Sequence, residues 1–310
     1  MSDPTPFPSS VPELLRHYGL RPKKRLGQHF LIDRSSLLKV VQAAKLDGEQ
    51  EVLEIGAGLG SLTVLLAQTA PRVVAVELDP DLIPLLQGVL SPYPNVCLVK
   101  GDILQLDPAE LFPVESRPYS VVANIPYYIT SAILRHLLES KRQPQRMVLT
   151  LQLEVAQRIC AASGEMSLLA LSVHLYGTPT LVARIPAGAF YPAPKVDSAV
   201  VRLEIAEQPR LADTDLFFRL AKAGFSQKRK TLRNALAAGL GLPAVQVAQL
   251  LDAAHIDPRR RAETLDLEEW GRLVESFKTC LGVASAPEEQ ERTPPSAPAD
   301  RGNLRKPFGG

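Results

Sequence analysis

Asn124-Ile125-Pro126-Tyr127 gathers an amide oxygen, a backbone carbonyl and an aromatic ring within four residues. The Asn124 side-chain oxygen and the Ile125 carbonyl can each accept one hydrogen of an amine. Pro126 fixes the backbone and so the direction in which that carbonyl faces. Tyr127 offers a face on which a flat ring can stack, worth ~1–3 kcal/mol for a nucleic-acid base. An amine conjugated to such a ring is a poor nucleophile, because its lone pair is delocalised into the ring. Held between two acceptors, the nitrogen becomes more pyramidal and its lone pair can point at an electrophile. The step is then an in-line displacement assisted mainly by positioning. Its proton leaves once the nitrogen is cationic, so no dedicated general base is required.

Three further groups precede this segment. Val52-Leu53-Glu54-Ile55-Gly56-Ala57-Gly58-Leu59-Gly60 reads as a strand entering a glycine loop, where Gly56 and Gly58 let a ligand lie against bare backbone. A dinucleotide fingerprint places its third glycine one residue later, where this chain has Ser61. The short form suits a ligand without a pyrophosphate. Glu77 closes the next strand, where a carboxylate can accept both hydroxyls of a ribose; Asp79 fits better as the cap of a helix at Pro80. Gly101-Asp102-Ile103 closes the third, where an acid can accept from the amino group of an adenine. Downstream, Phe190-Tyr191-Pro192-Ala193-Pro194 could bring a second ring, Phe190, to the other side of a base clamped on Tyr127. A base in structured RNA would have to be splayed out to enter such a clamp.

The elements that must position these groups alternate. Strands are expected at 51–55, 73–77, 96–100, 119–123 and 146–152, and helices at 61–69, from Asp79-Pro80 onward, and at 131–140. Asp33 is expected to cap a helix running to about Lys45, and a short helix over 12–18 should stop at Gly19. Apolar strands separated by helices imply a parallel sheet covered on both faces. Strands at 180–185 and 198–205, with no helix expected between them, suggest an antiparallel hairpin closing that sheet. After about Glu207 the pattern is purely helical, with helices near 214–224, 229–238, 244–253 and 266–279. The expected organisation is a lead over 1–20, an α/β domain over 21–207, a small all-α domain over 208–282 and a disordered tail over 283–310.

At 310 residues, 45% hydrophobic and 22% charged, the chain can bury a normal core in two domains. No apolar run approaches the ~18–20 residues that span a bilayer, and the N-terminus lacks a secretory pattern. Cys97, Cys160 and Cys280 match no metal spacing and read as buried, reduced thiols of a cytoplasmic protein; no metal is expected. The net charge of +2 is unevenly spread. Residues 16–45 carry eight basic residues, among them Lys23, Lys24 and Arg25, against Asp33 alone; residues 219–233 carry six, including Lys228, Arg229, Lys230 and Arg233, with no acid. Residues 51–110 hold eight acids against Arg72 and Lys100. A polyanion would meet the first two regions and avoid the third.

The glycine loop, Glu77 and Asp102 together resemble the cofactor site of class I S-adenosylmethionine-dependent methyltransferases. Asn124–Tyr127 resembles the Asn/Asp/Ser-Pro-Pro-Tyr motif of enzymes that methylate an amine on a ring. Three more segments narrow the resemblance. They are Lys23-Lys24-Arg25-Leu26-Gly27-Gln28-His29-Phe30-Leu31, Phe190–Pro194 continuing through Lys195–Leu203, and Phe225–Leu236. On these the chain, from about residue 12 to 280, is identified as a member of the ribosomal small-subunit adenine dimethyltransferases. The resemblance implies a Rossmann-like α/β fold with a helical C-terminal domain. It also implies transfer of methyl groups from S-adenosylmethionine to the N6 amines of two adjacent adenosines in the 3′-terminal hairpin of 16S rRNA, late in small-subunit assembly. A monomer is expected, with no membrane partner. The implied cofactor contacts are His29, Leu31, Gly56, Gly58, Glu77, Asp102, Ile103 and Asn124; the basic clusters make Lys23, Lys24, Arg25, Lys228, Arg229, Lys230 and Arg233 the expected RNA contacts. Many members have Asn where this chain has His29, Asn where it has Tyr128, and Lys where it has Leu153.

Three rival readings differ in what they require. The 23S rRNA adenine methyltransferases of macrolide resistance share the catalytic half, but Lys195–Leu203 and Lys228–Leu236 favour the small-subunit enzymes. A binding-only assembly or transcription factor on the same fold would need neither Asn124, Tyr127 nor Glu77. A nucleotide-dependent dehydrogenase is disfavoured by the glycine spacing.

Overall fold

Runs of β-branched and aliphatic residues flanked by turn formers become the strands of a sheet whose two faces are both covered. In the computed structural model, residues 11–113, 115–126 and 129–281 are described. In chain order the elements begin with α1 (Val11–His17), β1 (Phe30–Leu31), α2 (Arg34–Ala44), β2 (Glu51–Ile55), α3 (Ser61–Ala67) and β3 (Val73–Glu77). They continue with α4 (Ile83–Leu90), β4 (Val96–Lys100), α5 (Pro108–Leu111), β5 (Tyr119–Asn124), α6 (Thr130–Leu138) and β6 (Arg146–Gln152). The rest are α7 (Leu153–Ile159), α8 (Leu168–Tyr176), β7 (Gly177–Ile185), β8 (Phe190–Tyr191), β9 (Ser198–Ile205), α9 (Thr214–Phe225), α10 (Leu232–Leu240), α11 (Ala244–Ala253) and α12 (Leu267–Leu281).

The main sheet has the order β4-β3-β2-β5-β6-β9-β7. The first five strands are parallel, and β9 pairs antiparallel with both β6 and β7. The expected hairpin therefore closes the sheet, with its second strand inserted beside β6. The order reverses around β2, so the carboxyl ends of β2, β3, β4 and β5 open on one crevice, where α/β sheets bind ligands. Val52, Val73, Val122 and Val148 face α2 and α3, while Leu53, Val74, Val121 and Met147 face a second core that includes α6. That second core runs on through α7 and α8 into α9–α12, where Trp270 is fully buried between Phe217 and Phe225. The C-terminal helices form an all-α domain packed on the sheet's own core.

Capping follows local chemistry. The Asp33 carboxylate accepts from the Ser36 N–H at 2.8 Å and starts α2, while Gly19 (φ 66°) ends the first helical segment. Several details depart from expectation. Residues 153–176 form two helices that the sequence did not announce. The first two residues of the Phe190–Pro194 segment form a small two-stranded sheet with β1. Helix α10 begins at Leu232, so Lys228, Arg229 and Lys230 lie in the turn after α9, not on a helix. Cys97 and Cys280 are exposed and Cys160 is half-buried, so the expectation of buried thiols fails for two of three. Residues 1–10, the first half of the 1–20 lead, and 282–310 lie outside the described residues. No helix among the described residues is long and apolar enough to cross a membrane.

Candidate active site

An open cleft lies at the carboxyl ends of β2 to β5, the end of an α/β sheet at which ligands bind. Its floor is the glycine loop. Gly56 and Gly58 sit at φ 77° and 60°, left-handed values that side chains resist. A Cβ on Gly58 would come 3.1 Å from the Phe30 ring. The bare backbone is thus needed both for the turn and for the close approach of the segment above it.

Glu77 ends β3 and is buried. Its Oε2 accepts from the Gly58 N–H and its Oε1 from the Asp79 N–H, both at 2.8 Å. Burial pushes its carboxyl above the ordinary range, and the two N–H donors act against that. The carboxylate is locked in place, and each oxygen keeps a further lone pair to offer a ligand hydroxyl. Asp102, after β4, caps the turn Ile103–Gln105 by accepting from the Leu104 N–H at 3.0 Å, so it serves the turn while still lining the cleft.

Asn124 is the last residue of β5. Its side-chain N–H donates to the His29 carbonyl at 3.0 Å. That bond orients the amide: the NH2 end is turned to His29, and Oδ1 is the end left to accept. The His29 ring is held in turn by the Pro192 carbonyl, 2.6 Å from Nδ1; a carbonyl only accepts, so Nδ1 carries the proton. Ile125 and Pro126 continue the lining, with Ile125 almost wholly buried.

Of the residues expected to form the site, His29, Gly56, Gly58, Glu77, Asp102, Ile103, Asn124, Ile125 and Pro126 all line this one cleft. Tyr127 lies outside the described residues. Leu31 lines a smaller cavity behind the glycine loop, together with Glu54, Ser61 and Asn124. The structure places Phe190 elsewhere. It is 3% exposed, opposite Leu31 in the β1–β8 pair and packed in the core beneath α2, so its ring is not presented to the cleft. Its neighbour in sequence, Tyr191, packs toward Phe30 and α4.

The basic residues also divide. Lys24, Arg25, Lys228, Arg229, Lys230 and Arg233 are exposed. Lys23 is not available as expected: its ammonium lies 2.6 Å from both Asp79 and Asp81. Gln28, not among the expected site residues, lines the cleft and donates to Asp79 at 2.8 Å. Its polar side chain between Gly27 and His29 was a weak signal, because its partner lies 51 residues away.

The residues present fit S-adenosylmethionine. The left-handed glycines leave bare backbone on the floor, and the flanking carboxylates at two successive strand ends match the hydroxyl and amine donors of a nucleoside.

Comparison with known proteins points to one family. The family model described as "Ribosomal RNA adenine dimethylase" matches residues 19–278. A ribosomal RNA small subunit methyltransferase A of Dehalococcoides mccartyi (strain CBDB1) is 48% identical over 278 residues, covering 89% of this chain and 93% of its own. The protein of the same description from Alkaliphilus oremlandii (strain OhILAs) is 39% identical over 279 residues, covering 87% and 96%. Among solved structures, a dimethyladenosine transferase of Plasmodium falciparum superposes with a TM-score of 0.70 at 28% identity, covering 81% of this chain and 98% of that one. The 23S rRNA methyltransferase ErmE superposes with a TM-score of 0.65 at 31% identity, covering 80% and 99%. The chain thus has the class I methyltransferase fold.

Proposed function

The chain belongs to the ribosomal RNA adenine dimethylase family, a family of S-adenosylmethionine-dependent methyltransferases, and from that premise we propose that it dimethylates N6 of two adjacent adenosines in the 3′-terminal hairpin of 16S rRNA. The substrate is the small subunit or its precursor, met late in assembly, and the chain acts as a monomer. The observation that carries the reading is the amide of Asn124, oriented by the His29 carbonyl at the rim of a cleft built for a nucleoside.

S-adenosylmethionine supplies an electrophilic methyl group on a sulfonium. Glu77 would accept from its ribose and Asp102 from its adenine amine, Gly56 and Gly58 would give it backbone to lie on, and His29, Leu31 and Ile103 would complete its contacts. Oδ1 of Asn124 and the Ile125 carbonyl would accept the two hydrogens of the target amine and so orient its lone pair. Pro126 fixes that carbonyl, and Tyr127 stacks the base. Positioning, not acid–base chemistry, then accounts for the acceleration. Phe190 takes no part while it stays in the core.

The all-α segment 208–282 is the second RNA-binding region. Lys228, Arg229, Lys230 and Arg233 at its edge, and Lys24 and Arg25 beside the cleft, contact phosphate and position the RNA without reading bases. The likeness to ErmE favours a second reading, methylation of 23S rRNA. It ranks lower because a relative 48% identical over 89% of this chain carries the small-subunit description. Mass spectrometry of rRNA from a strain lacking the gene separates them: loss of dimethyladenosine from 16S supports the proposal, and loss from 23S overturns it.

A further inference from the structure

Residues 23–30 form the roof of the cleft, and their anchorage is unusual for a loop of this charge. Leu26, Gly27, Gln28, His29 and Phe30 all line the cleft from above. At the far end the roof is held by the Asn124 bond to the His29 carbonyl and by the β1–β8 pair. At the near end the Lys23 ammonium sits between Asp79 Oδ1 and Asp81 Oδ2, at 2.6 Å from each. Gln28 closes the loop on itself: its Oε1 accepts from the Lys23 N–H at 2.7 Å, and its Nε2 donates to Asp79 Oδ2 at 2.8 Å. The Asp79 N–H donates to Glu77, and Glu77 accepts from Gly58. One chain of hydrogen bonds therefore runs from the roof, through the end of β3, to the floor.

We infer that Lys23 is a positioning residue for the cofactor: it latches the roof to Asp79 and Asp81 and does not contact RNA. The balance of charge supports this. Two carboxylates face one ammonium, so the cluster keeps a net negative charge and repels phosphate. Asp79 is 2% exposed, so its carboxylate needs these partners to remain ionised there. Opening the roof to admit or release a cofactor breaks both ion pairs, so the latch acts on how tightly the cofactor is held and not on the methyl-transfer step. This inference rests on the cleft being the cofactor site.

The test is calorimetric titration of the purified full-length chain with S-adenosylhomocysteine, compared across Lys23→Met, Lys23→Arg and Glu77→Ala. Lys23→Met should weaken binding roughly threefold to tenfold, and Lys23→Arg should restore most of it. Affinity in the parent should fall as salt rises from about 0.05 M to 0.5 M and stay nearly flat in Lys23→Met, because only the parent has an ion pair to screen. Amides of residues 24–29 should exchange faster in Lys23→Met while those of β2 and β5 do not. Glu77→Ala tests the underlying reading separately: binding equal to the parent's would mean that the cleft is not the cofactor site. If Glu77→Ala loses binding but Lys23→Met binds like the parent, while its rRNA affinity depends less on salt, the latch is overturned and Lys23 is a phosphate contact.

Discussion

Glu54, on β2 directly behind the glycine loop, is 1% exposed, and its Oε2 has no hydrogen-bond partner among the described residues. Burial, with the charge of Glu77 acting in the same direction, pushes its carboxyl up to about 8. The folded protein therefore keeps the Glu54 proton across a window in which the unfolded chain has lost it. The folded state binds more protons there, so this group's stabilisation is complete below about pH 4.5 and is lost as pH rises toward about 8. At 1.36 kcal/mol per unit, the span from 4.5 to about 8 sets an upper limit of about 5 kcal/mol, of which relaxation around the site would leave roughly 2–4. Glu54→Gln keeps the volume and cannot ionise. Urea unfolding of parent and variant at several pH values isolates the effect, because every other titration is common to both and cancels in the difference. The variant's relative stability should climb steadily between about pH 5 and pH 8, whatever constant offset its new amide adds. Parallel stability curves for the two proteins would refute the reasoning and show that Glu54 is solvated or paired.

Asn124→Ala should lower kcat by about 10²–10³, the cost of losing one preorganised hydrogen-bonding group at a reacting centre, while S-adenosylhomocysteine binding changes only a few-fold; methyl transfer to unmodified small subunits measures it, and full activity would overturn the proposed role. Phe190→Ala should cost about 3–5 kcal/mol of stability, as removal of a core aromatic does. An unchanged melting temperature with weakened rRNA binding would return that ring to the base clamp. Neutralising Lys228, Arg229, Lys230 and Arg233 together should flatten the salt dependence of rRNA binding, by about 0.7–0.9 in log–log slope for each phosphate no longer neutralised. A slope equal to the parent's would remove them from the interface.

Much of the sheet was legible because a strand buried on both faces must be an unbroken apolar run. Residues 51–55, 73–77 and 146–152 are bounded as the structure bounds them, and so is the partly exposed edge strand 96–100. The chemistry at the strand ends was legible for a related reason. Glycine, glutamate, aspartate and asparagine stand out where an apolar run stops, and parallel strands in one sheet bring their ends together. Helices α7 and α8 were missed because their apolar residues pack on several elements at once, with no clean helical stripe. Helix α10 starts later than the sequence suggests, because three basic residues that resemble a helix surface fold into a turn closed by the Lys230 N–H on the Gln227 carbonyl.

For the roof and the base clamp, local sequence carried too little. Lys23, in a run of three basic residues, reads as a phosphate contact; its partners are 56 and 58 residues away and become visible only when β3 and the roof meet. Phe190 stands in a proline-rich segment that reads as a loop, and only its pairing with Leu31 sends the ring into the core. What this sequence determines alone is which groups can do the chemistry, because residue type and strand-end position are local properties. Which of those groups face the cleft, which are buried and which are already neutralised is decided by contacts between segments distant in the chain, and only the tertiary structure contains them.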